Sequence, residues 1–266
     1  MIKQVELINK VKIQSELDDN IIATLMYGSF TQNSGDKYSD VEFYIFIKDD
    51  LFKDFDSKKW ISNIHQYCTY FTNEFGTEVA IFKNLVRGEF HFLRESEIDI
   101  VKSFKLVGYF PNVDSMLIYD SNGKLKESLN ELRDCRENRF SKDTIEYTIN
   151  GFINNLLFGI NVLKRGEIAR SLEVLYFVQK YLLQLIRLYE NTTDHWINPT
   201  KNLENEITKE TYQRYKLCCS NLSKQNLFKA YNNSILLSKD IILNLKDYTD
   251  IDIFINLIED IDQYLQ

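Results

Sequence analysis

Strand-like runs crowd the first 140 residues of this chain and vanish from Ser141 onward, which limits the fold to two unlike halves. Before the break lie IIATLMYG (21–28), VEFYIFI (41–47), TEVAIF (77–82), GEFHFL (88–93) and MLIYD (116–120), rich in β-branched and aromatic residues. A helix is expected over 3–17, where Val5, Ile8 and Val11 recur every third residue, and another over 57–74. Strands and helices without regular βαβ spacing predict a mixed sheet with helices packed on it. After the break, helical periodicity dominates 142–164, 168–190, 208–221, 225–247 and 250–265. Pro199 marks one interruption, because its ring is disfavoured inside a helix. The expected class is α+β: a first domain over 1–140 with a mixed β-sheet flanked by helices, then a C-terminal helical bundle over 141–266.

Composition removes several classes of function. With 266 residues and 44% hydrophobic content, the chain can fill one large or two ordinary cores. Nine Gly and two Pro argue against a disordered or linker-rich chain. No apolar run reaches the roughly 18 residues of a membrane-spanning helix, so no membrane partner is expected. The opening segment MIKQVELINKVKIQSEL lacks an apolar signal-peptide core, so a cytoplasmic location is expected. A formal charge of −7 disfavours binding to nucleic acid. Cys68, Cys135 and the adjacent Cys218 and Cys219 form no CxxC pattern, and with three histidines no zinc site is expected.

The segment with chemical content is LMYGSFTQNSGDKYSDVEFYIFI (25–47). An apolar strand ends at Gly28-Ser29, a polar loop follows, and a second strand opens on Asp40-Val41-Glu42. Side chains alternate across a strand, so Asp40 and Glu42 share a face, continued by Tyr44 and Phe46, while Val41, Phe43 and Ile45 point the other way. Two carboxylates on one face repel unless a cation neutralises them. Mg²⁺ suits that role, because it is hard, prefers oxygen and is commonly shared between carboxylates and phosphates. Gly28 allows a phosphate to approach the backbone, and Ser29 adds a hydroxyl. The pattern reads as a metal–triphosphate site, with phosphate on the loop and metal on Asp40 and Glu42.

The string G-S-x₁₀-D-x-E, flanked by hydrophobic strands, resembles the signature of the nucleotidyltransferase superfamily related to DNA polymerase β. The fuller YGSF…YSDVEFYIF is similar to antibiotic nucleotidyltransferases that modify aminoglycosides and lincosamides. EFGTEVAIF, LVRGEFHFL, GINVLKRGEIARSLE and KNLENEI extend the likeness to the two-domain lincosamide nucleotidyltransferases of the B type. The resemblance implies a nucleotidyltransferase domain over 1–140 and transfer of AMP from ATP to a drug hydroxyl, with Mg²⁺ and release of pyrophosphate. It places the triphosphate on Gly28 and Ser29 and the metal on Asp40 and Glu42. It also implies a homodimer.

Such transfer is largely positioning and charge neutralisation, which leaves removal of the hydroxyl proton. Glu89 is the candidate base, or a further metal ligand, and the resemblance also places a catalytic carboxylate on its strand. Gly88 before it is expected to permit close approach, and Glu89, His91 and Leu93 share one face opposite Phe90 and Phe92. Glu78 is a rival carboxylate at a strand start. Tyr44 and His91 are candidate substrate contacts, although His91 also fits a half-buried structural imidazole. In the helical half, Lys164, Arg165 and Arg170 cluster, either as a solvated surface or with Lys164 and Arg170 binding nucleotide. Lincosamide is the first expectation for the acceptor. The alternatives are an aminoglycoside, or a catalytically idle nucleotide-binding relative that acts through a protein partner.

Overall fold

In the computed structural model, which describes residues 2–266, six strands form one sheet. They are β1 (Ile21–Tyr27), β2 (Val41–Ile47), β3 (Tyr67–Thr72), β4 (Glu78–Phe82), β5 (Arg87–Arg94) and β6 (Leu117–Asp120). Their order is β3-β4-β5-β2-β1-β6, with β2 and β5 parallel and every other neighbour antiparallel. Parallel pairing needs a long crossover, and the chain between β2 and β5 supplies it through a helix and the β3–β4 hairpin. The sheet belongs to a compact unit, Met1–Arg136, and a second unit comprises Glu137–Gln266. The class is α+β with a mixed sheet and a C-terminal helical region, as the change in pattern at Ser141 implies.

Alternation along the strands builds two apolar layers. Val41, Phe43, Ile45 and Phe90 pack with Leu7 and Val11 of α1 (Lys3–Leu17) and with Trp60 and Ile61 of α2 (Ser57–Ile64). On the opposite face, Ala23, Leu25 and Phe46 pack with Phe104, Phe110, Met116, and with Leu125 and Leu129 of α3 (Lys124–Asn130). The buried stripe of α1 is Gln4, Leu7, Val11 and Ser15, not Val5, Ile8 and Val11. A strict spacing of three drifts around a helix of 3.6 residues per turn, whereas spacings of three and four hold one face.

The helix expected over 57–74 is cut short. The carboxylate of Asp56 caps α2 by accepting from the Lys59 amide at 2.9 Å, and the helix ends at Ile64. Trp60, Ile61 and Ile64 complete its buried face, and the following YCTYFT is β-branched and aromatic enough to form β3.

The second unit contains α4 (Lys142–Lys164), α5 (Ile168–Tyr189), α6 (Leu203–Glu206), α7 (Lys209–Lys216), α8 (Lys224–Leu243) and α9 (Asp252–Leu265). Ser141, Thr208 and Ser223 cap α4, α7 and α8 through their hydroxyls. Phe152, Leu156, Leu182, Ile186, Tyr231 and Ile258 lie within one apolar core. Gly159 lets α8 approach α4: a Cβ there would fall 2.2 Å from the Tyr231 hydroxyl, which donates to the Ser171 carbonyl at 2.8 Å. No helix among the described residues is long and apolar enough to cross a membrane.

Candidate active site

The site is assembled where β1, β2 and β5 lie side by side. Register pairs Tyr27 with Glu42 and Glu42 with Glu89, so these three side chains form a row across the sheet. One step along, Leu25, Tyr44 and His91 form the next row on the same face. Ligand atoms of Glu42, Glu89 and His91 all lie within 4.8 Å of one another, and His91 Nε2 is 3.2 Å from Glu42 Oε1.

Behind the carboxylates stands an aromatic wall. The His91 ring stacks on Tyr44 with centroids 4.1 Å apart and planes 5° apart, and Tyr44 also meets Tyr27 and Phe104. Burial, and then the Glu42 charge, push the Tyr27 phenol up to about 12. Burial and the charges of Glu42 and Glu89 raise Tyr44 as well. Both phenols therefore keep their protons at neutral pH.

The loop after β1 supplies the other side. Gly28 has φ +87° and ψ −153°, a conformation closed to ordinary L residues, and a Cβ there would be 3.8 Å from Glu42 Oε2. The turn backbone thus lies directly against the carboxylate. Thr31 fixes the turn by donating its hydroxyl to the Gly28 carbonyl at 2.8 Å, and Ser34 donates its amide to the Ser29 carbonyl at 3.1 Å. The Ser29 hydroxyl itself is buried and lacks a hydrogen-bond partner among the described residues. A buried hydroxyl without a partner is unfavourable, and a polar ligand on this turn would relieve it.

Asp40 sits one residue ahead of β2, exposed, and outside the Glu42–Glu89–His91 group. Two residues that sequence reasoning did not single out control its position. Gln4 of α1 is buried and donates to the carbonyls of Lys37 and Ser39, each at 2.9 Å, which fastens the loop just before Asp40. Arg87, at the start of β5, reaches Asp40 Oδ2 with Nη1 at 3.0 Å and holds Glu89 Oε1 with Nη2. Burial alone would lower the Arg87 pKa, but Glu89 and Asp40 outweigh it and the guanidinium binds its proton more tightly than usual. Arg87 was readable in principle, because it lies two residues before Glu89 and so shares its face. Gln4 carries no such signal, since a polar residue on a helix reads as solvated.

Glu78 is not part of this site. It pairs with Phe90 in the register, which puts it on the opposite face, and its oxygens accept from Ser57 at 2.9 Å and Tyr70 at 2.6 Å. Gly88 also faces away from the site. A Cβ there would meet the rings of Phe90 and Phe82 at 2.8 and 2.9 Å, so the glycine makes room for the core and not for a ligand. Lys164 and Arg170 lie in the second unit. Lys164 Nζ reaches the Leu265 carbonyl at 3.4 Å and stands over the Tyr264 ring, and Arg170 pairs with Glu167 at 3.2 Å.

The donor set fits a hard divalent cation. Glu42 and Glu89 offer carboxylate oxygens and His91 a ring nitrogen within one cluster, Asp40 stands at the strand mouth tied to Glu89 through Arg87, and the Gly28 turn that carries the unpartnered Ser29 hydroxyl adjoins Glu42. An arrangement of this kind can bind a metal with an anionic ligand and accept a proton nearby.

Residues 141–264, which lie within the helical unit, match the family described as "Lincosamide nucleotidyltransferase-like, C-terminal domain". Among solved structures, the chain is similar to an aminoglycoside 6-adenyltransferase from Bacillus subtilis. That match has 14% identity and a TM-score of 0.43, covering 98% of this chain and 97% of that one. It is also similar to a nucleotidyltransferase-like protein from Exiguobacterium sibiricum, with 13% identity and a TM-score of 0.44, over 89% of this chain and 74% of the other. No curated protein matches the sequence.

Proposed function

We propose that this chain is a nucleotidyltransferase that moves AMP from ATP to a hydroxyl of a lincosamide antibiotic, releasing pyrophosphate. The observation that carries the proposal is the buried, unpartnered Ser29 hydroxyl on the Gly28 turn, set against neighbouring carboxylates on β2 and β5. A phosphate oxygen satisfies that hydroxyl, and the tight turn brings backbone and phosphate together. The family match over 141–264 supports a nucleotidyltransferase of the antibiotic-modifying type.

Asp40 and Glu42 would hold the cation, with Glu89 as a further ligand or as the base. When bound, Mg²⁺ would neutralise charge on the triphosphate. The acceptor oxygen attacks the α-phosphorus, the bond from that phosphorus to the bridging oxygen breaks, and pyrophosphate leaves with the electron pair. The acceptor proton passes to Glu89, whose carboxylate lies in the same row as Glu42. Tyr27, at the end of the row, and Tyr44, in the row behind it, keep their protons, exclude water from the rear of the carboxylates and shape the face that meets the acceptor.

The test is mass spectrometry of the purified chain incubated with Mg²⁺, ATP and, in separate tubes, lincomycin, clindamycin or kanamycin. The expected product is a lincosamide heavier by one adenylyl unit, formed only with metal. Modification of kanamycin alone would keep the chemistry and move the acceptor to aminoglycosides. No modified drug in any tube would overturn the proposal.

A further inference from the structure

We infer that Arg87 is an exchangeable counter-ion: it clamps Asp40 and Glu89 while the site holds no metal, and gives both carboxylates up when a metal–triphosphate enters. The inference rests on the nucleotidyltransferase reading and adds an order of events to it.

Three carboxylates crowd one strand mouth, and the guanidinium of Arg87 spans two of them, with Nη1 on Asp40 and Nη2 on Glu89. A bridge of this kind occupies one oxygen of each carboxylate, places a fixed positive charge between them and sets the spacing of the two acids. The clamped state therefore already neutralises the charge that would draw a metal in, and a cation binding these acids competes with the guanidinium.

Arg87 is built to leave. Its side chain is 41% exposed, and the partners found for it are the two carboxylates, with no backbone carbonyl among them. On release it stays at the rim of the same face, two residues from Glu89, next to where the triphosphate binds. A planar guanidinium exchanges carboxylate for phosphate oxygens readily, because both match its fork. The same residue thus competes with metal alone and cooperates with metal plus nucleotide, which would favour entry of the two together.

Binding of Mn²⁺ to the full-length, nucleotide-free chain tests this, read by electron paramagnetic resonance of the free ion for wild type, Arg87→Met and Arg87→Lys. Removing the competing cation should tighten Mn²⁺ binding by about tenfold or more in Arg87→Met, with Arg87→Lys in between. ATP binding in the presence of Mg²⁺ should weaken in Arg87→Met by a similar factor. Mn²⁺ binding in Arg87→Met that is no tighter than in wild type would overturn the inference and leave the metal site standing. Absence of Mn²⁺ binding in wild type, with and without ATP, would overturn the nucleotidyltransferase reading, and the inference with it. Should Arg87→Met fail to fold, the wild-type ¹⁵Nε signal of Arg87, identified by its loss in Arg87→Lys, gives the same answer. Its displacement on Mg²⁺ addition supports release, and an unmoved signal at saturating Mg²⁺ overturns it.

Discussion

Each unit of the molecule contains an arginine held by carboxylate, and the two are opposites. Arg87 in the sheet unit is 41% exposed and spans two acids from different elements. Arg187 in the helical unit is fully buried and donates to the carbonyls of Pro199, Thr192 and Lys201 at 2.9, 2.8 and 2.6 Å, and to Glu206 at 2.6 Å. Backbone carbonyls cannot exchange partners without unfolding the segment that carries them, so Arg187 is a permanent tie between α5 and residues 190–206. Carboxylates at a strand mouth can accept another cation. The lesson is that an arginine's role follows from what accepts its protons, and not from its charge.

Arg187→Met should produce the largest change. It leaves three carbonyls and Glu206 without their donor, and because Glu206 is one-quarter exposed the loss should be about 3 kcal/mol, the lower end for a broken buried pair. Urea denaturation measures it, and a loss below about 1 kcal/mol, the size of a surface pair, would erase the contrast between the two arginines. At the sheet, Asp40→Asn and Glu42→Gln should act on turnover instead. Each should lower kcat/KM by roughly 10²–10³-fold, the usual scale for one preorganised electrostatic group. Folding stability should stay level or rise in Glu42→Gln, where a like charge beside Glu89 is relieved, and change by less than about 1 kcal/mol in Asp40→Asn, which gives up only an exposed ion pair with Arg87. Full activity in both variants would dissolve the site.

The smallest effect is a pH dependence carried by His195 and Glu206 in the helical unit. Burial holds His195 below its ordinary value of 6.5, so the ring that stands 3.3 Å from Glu206 is neutral near pH 7. Burial would raise Glu206, but Arg187 and Asn202 outweigh it and hold the carboxylate below 4.5. Both folded-state values are depressed, so in each case the unfolded chain takes up protons first as pH falls. Stability should therefore decline below about pH 6.5 and more steeply below about 4.5. Thermal unfolding at pH 7, 5.5 and 4 measures this, with Glu206→Gln expected to flatten the lower part of the profile.

Much of the fold is legible in the chain because local pattern and tertiary demand agree. The runs at 21–28, 41–47 and 88–93 became β1, β2 and β5, and the long periodic stretches became α4, α5 and α8. Residues 65–74 misled because a strand rich in Tyr, Phe and Thr can be read at helical spacing when a true helix precedes it. In the site, alternation alone put Glu42 with Tyr44 and Glu89 with His91, and the structure has both pairs on one face. Gln4 was not legible, because its two acceptors, the carbonyls of Lys37 and Ser39, lie more than thirty residues away and are backbone atoms.

What the sequence determined by itself was the set of local choices. It set which residues face each side of a strand, where glycine permits the turn at position 28, and where the strand-forming half gives way to helices. These depend on periods of 2 and 3.6 and on the missing Cβ of glycine, all of which are properties of neighbouring residues. The tertiary structure decided which strands lie side by side. Parallel pairing of β2 with β5 set Glu42 beside Glu89, let Arg87 reach Asp40, and left the Ser29 hydroxyl buried without a partner. Register between distant strands follows from the packing of whole faces, so no local pattern encodes it.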